Sequence, residues 1–187
     1  MGRPKALLPL EAGDTFLTRV VGTFRAAEVD DLVIVVGHDA DAIARTLAAA
    51  VPPVRLVRNA DYERGQLSSL VAGLRAVDRP GVVAALVTLV DVPLVAASTV
   101  RAVLERYRAT RAKVVRPVSG DRHGHPIVID RSLFQSLVSA DPAIGAKPII
   151  RAHVSAEGDV VVSDEGAFVD IDTPEDYARW TSRSAGL

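Results

Sequence analysis

Short continuous apolar runs alternate along this chain with stretches whose apolar positions recur every three or four residues. Phe16, Val20, Val21 and Phe24 fall at helical spacing, with Asp14 or Thr15 in place to cap the helix. Leu32 to Val36 is unbroken and β-branched, as strands buried on both faces tend to be. Gly37-His38 reads as a turn, and Asp39 opens a helix carrying Ile43 and Leu47, which Pro52-Pro53 ends. Val54 to Val57 reads as the next strand. A loop from Arg58 to Gly65 then leads to a helix through Leu67, Leu70, Val71 and Leu74. The longest apolar run, Val82 to Val90, is expected to be a central strand, with Asp91 directly at its carboxyl end.

The second half continues the pattern with shorter pieces. A helix beyond Val100 leads to a strand at Lys113-Val114-Val115, and Pro117 to His125 reads as an exposed loop or hairpin. Pro126 to Ile129 is a short strand, and helical pieces lie around Leu133 to Val138 and Pro148 to His153. Val160 to Val162 and Phe168-Val169 read as short strands, and Thr173-Pro174-Glu175 starts the last helix with proline in its first turn. Alternation of this kind predicts an α/β fold of three layers, Rossmann-like, with a mainly parallel sheet. In such sheets ligands bind outside the carboxyl ends of the strands. Gly37-His38, Asn59 to Ser69, and Asp91 would all lie on that rim.

Composition narrows the function classes. At 187 residues one domain, 1–187, is the simplest count. Twenty-two basic residues against 23 acidic ones give a net charge of −1, so no broad field draws in nucleic acid or an anionic membrane. The absence of cysteine removes disulfides and thiolate metal sites. Val82 to Val90 is about half the length of a membrane span. The basic, proline-interrupted start makes a poor secretion signal, and a cytoplasmic location is expected. No Gly-x-x-x-x-Gly-Lys-Ser/Thr, Gly-x-Gly-x-x-Gly or Gly-x-Ser-x-Gly element is present, so ATPase, dinucleotide-dehydrogenase and serine-hydrolase readings lose their main support. No apolar helix face argues for a dimer.

Five constellations carry candidate chemistry, each with an ordinary structural explanation beside it. Gly2-Arg3-Pro4-Lys5 could bring a lysine to phosphate as a point charge, or be a solvated terminus. Asp91-Val92-Pro93 could hold Mg²⁺, which needs only one or two protein carboxylates beside substrate phosphates, or form a turn. In Asp170-Ile171-Asp172-Thr173-Pro174-Glu175-Asp176, helix capping explains the last four residues and leaves Asp170 and Asp172 over. On a strand those two would share one face. Gly65 to Leu70 places Ser68 and Ser69 at a helix N-terminus, suited to an anion or a base edge, or to capping. His123-Gly124-His125-Pro126 is a weak metal motif, better read as a loop shaping an acceptor pocket.

Taken in order, these residues resemble the molybdenum-cofactor cytidylyltransferases and related MobA-like nucleotidyltransferases. Met1 to Leu8 matches the end of that family's Arg-Met-Gly-x-Pro-Lys-x-Leu-Leu signature. Val35 to His38, Asn59 to Tyr62, Gly65 to Leu70 and Gly73-Leu74 continue the match over nearly the whole chain. The resemblance implies that Lys5, with Gly2 and Arg3, contacts the nucleotide phosphates, and that Gly65, Ser68 and Ser69 lie near base and ribose. It implies Asp91 and Asp172 as Mg²⁺ ligands, and Gly124, His125 and Pro126 on the acceptor side.

The implied reaction transfers a nucleotide from a nucleoside triphosphate to a phosphorylated acceptor, with CTP and molybdopterin favoured. Guanylyl or sugar-phosphate transfer is the near alternative, and a non-catalytic nucleotide- or cofactor-binding remnant the distant one. The family's first strand and its Leu-Ala-Ala-Gly-x-Ser-x-Arg loop do not occur in this sequence, and Met1 falls on the signature methionine. A start codon assigned too far downstream would produce that. Without the strand, two neighbouring strands would each keep an unpaired edge, and without the loop the triphosphate would lack its backbone cradle.

Overall fold

The structure is a computed structural model that describes residues 4–10, 13–50 and 54–184. Pro52-Pro53, expected to end the second helix, lie outside the described residues, as do Gly2 and Arg3. The elements are α1 (Phe16–Ala26), β1 (Val33–Val36), α2 (Ala40–Ala50), β2 (Arg55–Arg58), α3 (Gln66–Val77), β3 (Ala84–Val87), α4 (Ala97–Thr110), β4 (Val114–Ser119), β5 (Arg122–His123), β6 (Ile127–Asp130), α5 (Phe134–Val138), α6 (Lys147–Ala152), β7 (Asp159–Val161) and α7 (Pro174–Ser184). Short 3-10 turns precede α1, α3 and α5 and lie between β7 and α7. Among the described residues no helix is long and apolar enough to cross a membrane.

Local chemistry accounts for the boundaries. The Thr15 hydroxyl accepts from the Thr18 amide while the Thr18 hydroxyl accepts from the Thr15 amide, a capping box that starts α1. Asp39 takes a left-handed conformation, with φ of 57°, so α2 begins one residue later than expected. The Pro117 to His125 segment is a hairpin, with Val118 opposite His123 and Ser119 opposite Arg122. Phe168-Val169 is not a strand. The Asp164 carboxylate accepts from the Gly166 amide and initiates a 3-10 turn over Glu165–Phe168 instead.

The layers follow from period-two burial. Val114 and Ile129 pack to one side against α3, α5 and α6, while Val115 and Val128 pack to the other against α4. β3 divides in the same way, Ala85 and Val87 facing one cluster and Ala84 and Leu86 the other. This is the three-layer α/β arrangement expected from the sequence.

Strand directions are more mixed than expected. β1 and β2 are parallel, and β4 and β7 are parallel, but β3–β6, β6–β4 and β4–β5 are antiparallel. The hairpin after β4 reverses the chain, so β6 returns antiparallel between β3 and β4. The run expected to be a central strand pairs over Ala84–Val87 only, and only with β6. Among the described residues the other edge of β3, and one edge of β1, has no ladder partner. The four apolar residues of β3 are accordingly all half-buried.

Candidate functional site

Asp91 sits in the turn that follows β3, and two long-range contacts bring Lys5 and Asp172 to it. Leu8, just beyond the 3-10 turn that carries Lys5, packs with Phe16 and the fully buried Ile171. Ile171 also donates its amide to the Asp91 carbonyl at 2.8 Å. The Tyr177 hydroxyl donates to the Pro9 carbonyl at 2.7 Å, fixing the amino-terminal segment to α7. Residues separated by most of the chain therefore meet through one buried isoleucine and its backbone.

Asp170 and Asp172 flank Ile171 and are both exposed while it is buried, an alternation of extended backbone that forms no ladder. The Lys5 ammonium donates to Asp172 Oδ1 at 2.7 Å and stands 3.6 Å from Asp91 Oδ2. The first is a charge-assisted hydrogen bond and the second a looser ion pair. Burial works against the charge on Lys5, but the bond to Asp172 and the charges of both aspartates outweigh it, and its pKa is raised. Burial and the neighbouring charge of Asp91 push the Asp170 carboxyl above the usual range.

Gly124, His125 and Pro126, expected on the acceptor side, reach the same place in the link between β5 and β6. Gly124 is held so close to the 3-10 turn that a Cβ there would lie 2.2 Å from the Ala167 carbonyl oxygen, so only glycine fits. The His125 amide donates to that same carbonyl at 2.8 Å. Burial lowers the pKa of the His125 imidazole, opposed by the Val87 carbonyl and the charges of Asp170 and Asp91. His125, Asp170, Asp91, Asp172 and Lys5 are thus near enough to act on one another's charge. Among the described residues Asp91 Oδ1, His125 Nδ1 and Thr88 Oγ1 are buried and have no hydrogen-bond partner. Sequence reasoning missed Thr88, although it is the one polar residue in the run Val82 to Val90.

The loop of Gly65, Ser68 and Ser69, expected near the nucleotide, is a separate patch. Asn59, 7% exposed, donates through Nδ2 to the hydroxyls of Ser68 and Ser69 at 2.8 and 3.0 Å and accepts from the Asp61 amide at 3.0 Å. The Ser68 hydroxyl lies 2.8 Å from the Gly65 carbonyl and 2.9 Å from that of Asp61, so it locks the loop onto α3. Gly65 provides the turn with φ of 92°. Among the described residues no hydrogen bond or ion pair joins this loop to the Lys5–Asp91–Asp172 cluster.

The oxygen donors fit a hard divalent cation. Asp91 has a buried oxygen without a partner among the described residues, Asp172 reaches the same ammonium, and Lys5 offsets one of the two carboxylate charges. Among the described residues no three histidine, aspartate or glutamate groups converge as a ready-made cage.

Residues 1–157 match the model of the MobA-like NTP transferase domain. The chain belongs to that family. It is 35% identical over 188 residues to nicotine blue oxidoreductase of Paenarthrobacter nicotinovorans, covering 96% of this chain and 89% of that one. The solved manganese complex of Rv0371C from Mycobacterium tuberculosis H37Rv superposes with a TM-score of 0.78 at 28% identity, covering 97% of this chain and 93% of that one. A nucleotidyl transferase from Methanothermobacter thermautotroptrophicus gives a TM-score of 0.76 at 25% identity, covering 96% and 84%. The family makes this an enzyme of the nucleotidyltransferase superfamily.

Proposed function

We propose that this protein transfers a nucleotide from a nucleoside triphosphate to a phosphorylated small-molecule acceptor, with CTP and molybdopterin as the favoured pair and Mg²⁺ as the ion. The observation that carries the reading is the meeting of Lys5, Asp91 and Asp172 at the end of β3, with distances of 2.7 and 3.6 Å from the ammonium to the two carboxylates. An oxygen of the acceptor phosphate attacks the α-phosphorus in line. The bond from that phosphorus to the bridging oxygen of the β-phosphate breaks, and pyrophosphate leaves. The phosphate nucleophile is already ionised at neutral pH, so no general base is needed.

Asp91 and Asp172 would hold the divalent ion, which supplies charge neutralisation for the phosphates. Lys5 offers a positive charge to the leaving phosphates. Gly65, Ser68 and Ser69 shape the base and ribose side, and Gly124, His125 and Pro126 the acceptor side. The low proton affinity of His125 suits it to neutral hydrogen bonding rather than to holding an anion by charge. Guanylyl transfer and transfer to a sugar phosphate are the alternatives within the same chemistry.

The test is pyrophosphate release with each of the four nucleoside triphosphates, Mg²⁺ and molybdopterin or a sugar 1-phosphate. Release with CTP and molybdopterin, lost in Asp91→Ala, is the expected result. Undiminished release in Asp91→Ala would remove the metal role.

A second reading rests on the 35% identical relative, which carries the name of an oxidoreductase. On this reading the same scaffold reduces an organic substrate. Absorbance loss from a reduced nicotinamide cofactor, without pyrophosphate release, would favour it.

A further inference from the structure

The amine of Lys5 occupies the space between two carboxylates that the proposed function gives to a metal ion. Its nitrogen is 2.7 Å from Asp172 Oδ1 and 3.6 Å from Asp91 Oδ2. The lysine side chain is 29% exposed and that of Asp91 23%, while Asp172 on the outer side is 60% exposed, so the Asp91 side of the contact is the sheltered one. Lys5 does not reach the remaining oxygen, Asp91 Oδ1, which is buried without a partner. One cation with directional donors thus leaves the site incompletely satisfied and offsets only one of the two carboxylate charges.

We infer that Lys5 is a built-in counter-ion of the metal site, which holds the two carboxylates together in the free enzyme and must be displaced before a divalent ion can bind both. The inference rests on the assignment of Asp91 and Asp172 as metal ligands. The physical reason is competition: an ammonium and a divalent ion cannot share the same oxygens at contact distance without strong repulsion. Displacement exposes the ammonium unless an anion is present to receive it, and a triphosphate supplies one. The divalent ion and the nucleotide are therefore coupled, each raising the affinity for the other through Lys5. A free enzyme of this design binds metal weakly and loads it together with the nucleotide. The short 3-10 turn that carries Lys5 is anchored at Leu8, so the backbone stays in place while the side chain moves.

The experiment is titration of the free protein with Mn²⁺ alone, followed by calorimetry or by loss of the free-ion paramagnetic resonance signal. Wild type, Lys5→Met, Lys5→Arg and Asp91→Asn are compared. Lys5→Met is expected to bind Mn²⁺ about tenfold tighter than wild type or more, since a positive charge about 4 Å away has been removed. Lys5→Arg keeps the charge and is expected to bind Mn²⁺ as weakly as wild type, and Asp91→Asn to lose binding. Equal or weaker Mn²⁺ binding by Lys5→Met, with Asp91→Asn still defective, overturns the counter-ion role and leaves the metal site standing. Mn²⁺ binding that survives Asp91→Asn unchanged, or is missing from all four proteins, overturns the metal assignment and this inference with it.

Discussion

The two ends of the β3–β6 strand pair differ in how fully their polar groups are used. At the end marked by Ala84 opposite Asp130, the Tyr107 hydroxyl lies 2.6 Å from Asp130 Oδ2 and 3.0 Å from the Val83 carbonyl. The Ser132 amide donates to the other Asp130 oxygen at 2.9 Å, and the Arg131 amide to the Val83 carbonyl at 2.9 Å. At the end beyond Val87 opposite Ile127, Thr88 Oγ1, Asp91 Oδ1 and His125 Nδ1 are buried and unpaired. A buried polar group left unpaired costs about 1–3 kcal/mol. The same two strands thus carry a satisfied end, which stabilises the fold, and an unsatisfied end, which is available to bind something else.

The largest expected effect tests the unsatisfied end. Asp91→Ala should lower the transfer rate about a thousandfold or more, because charge stabilisation by a metal is worth several kcal/mol. Its melting temperature should match or exceed that of wild type, since a buried oxygen without a partner is removed. A clear fall in melting temperature would show that Asp91 is a structural residue.

Tyr107→Phe strikes the satisfied end and should reverse the pattern. Loss of the hydroxyl, whose one proton serves Asp130 over the shorter contact, leaves that carboxylate short of a donor, at about 1–2 kcal/mol, or roughly 2–8 °C in melting temperature. Mn²⁺ binding measured on the folded variant should be unchanged. A smaller effect is expected from Thr88→Val, which replaces an unpaired hydroxyl by a methyl of similar shape. Stability should rise by about 0.5–1 kcal/mol, read from urea unfolding. A fall would show that the hydroxyl has a partner in the free protein.

The smallest effect is one of pH. Burial raises the pKa of Asp130, but the bonds from Ser132 and Tyr107 outweigh it and hold the carboxyl below its ordinary value of 3.8. A folded-state value lower than the unfolded one contributes stability above the unfolded value, and that contribution is lost as pH falls through the folded one. The stability gap between wild type and Asp130→Asn should therefore be present at neutral pH and close in acid below 3.8. Thermal melts of both proteins across that range check the sign, and a constant gap would show that Asp130 is not the titrating group.

Much of the satisfied architecture was legible in the sequence, because burial periodicity and capping are local. The spacing of Phe16, Val20, Val21 and Phe24 and the Thr15 cap placed α1 almost to the residue. Thr173 as cap and Pro174 in the first turn placed the start of α7, where the structure adds a bond from the Thr173 amide to the Asp176 carboxylate. Strand pairing was less legible. A hydrophobic run reports that both faces of a strand are covered, and says nothing about its two edges. Val82 to Val90 therefore read as central, while the ladder stops at Val87 and occupies one edge only. Phe168-Val169 failed for a different reason, a side-chain cap at Asp164 that competes with strand geometry.

The candidate site divides along the same line. Lys5, Asp91, Asp172 and His125 could be picked out in the sequence because charged and polar residues beside apolar runs and turns are conspicuous, and their order resembled a family. The sequence by itself determined the layers, most helix limits and the family, since each follows from residue type at short spacing. Only the tertiary structure decided that Ile171 joins Leu8 and the backbone of Asp91, so that Lys5 lies between two carboxylates 167 residues and fewer along the chain from it. It also decided that Asn59 ties up Ser68 and Ser69, while Thr88, Asp91 and His125 keep bonding capacity in reserve. Which polar atom is satisfied depends on neighbours from distant segments, and no local pattern records those neighbours.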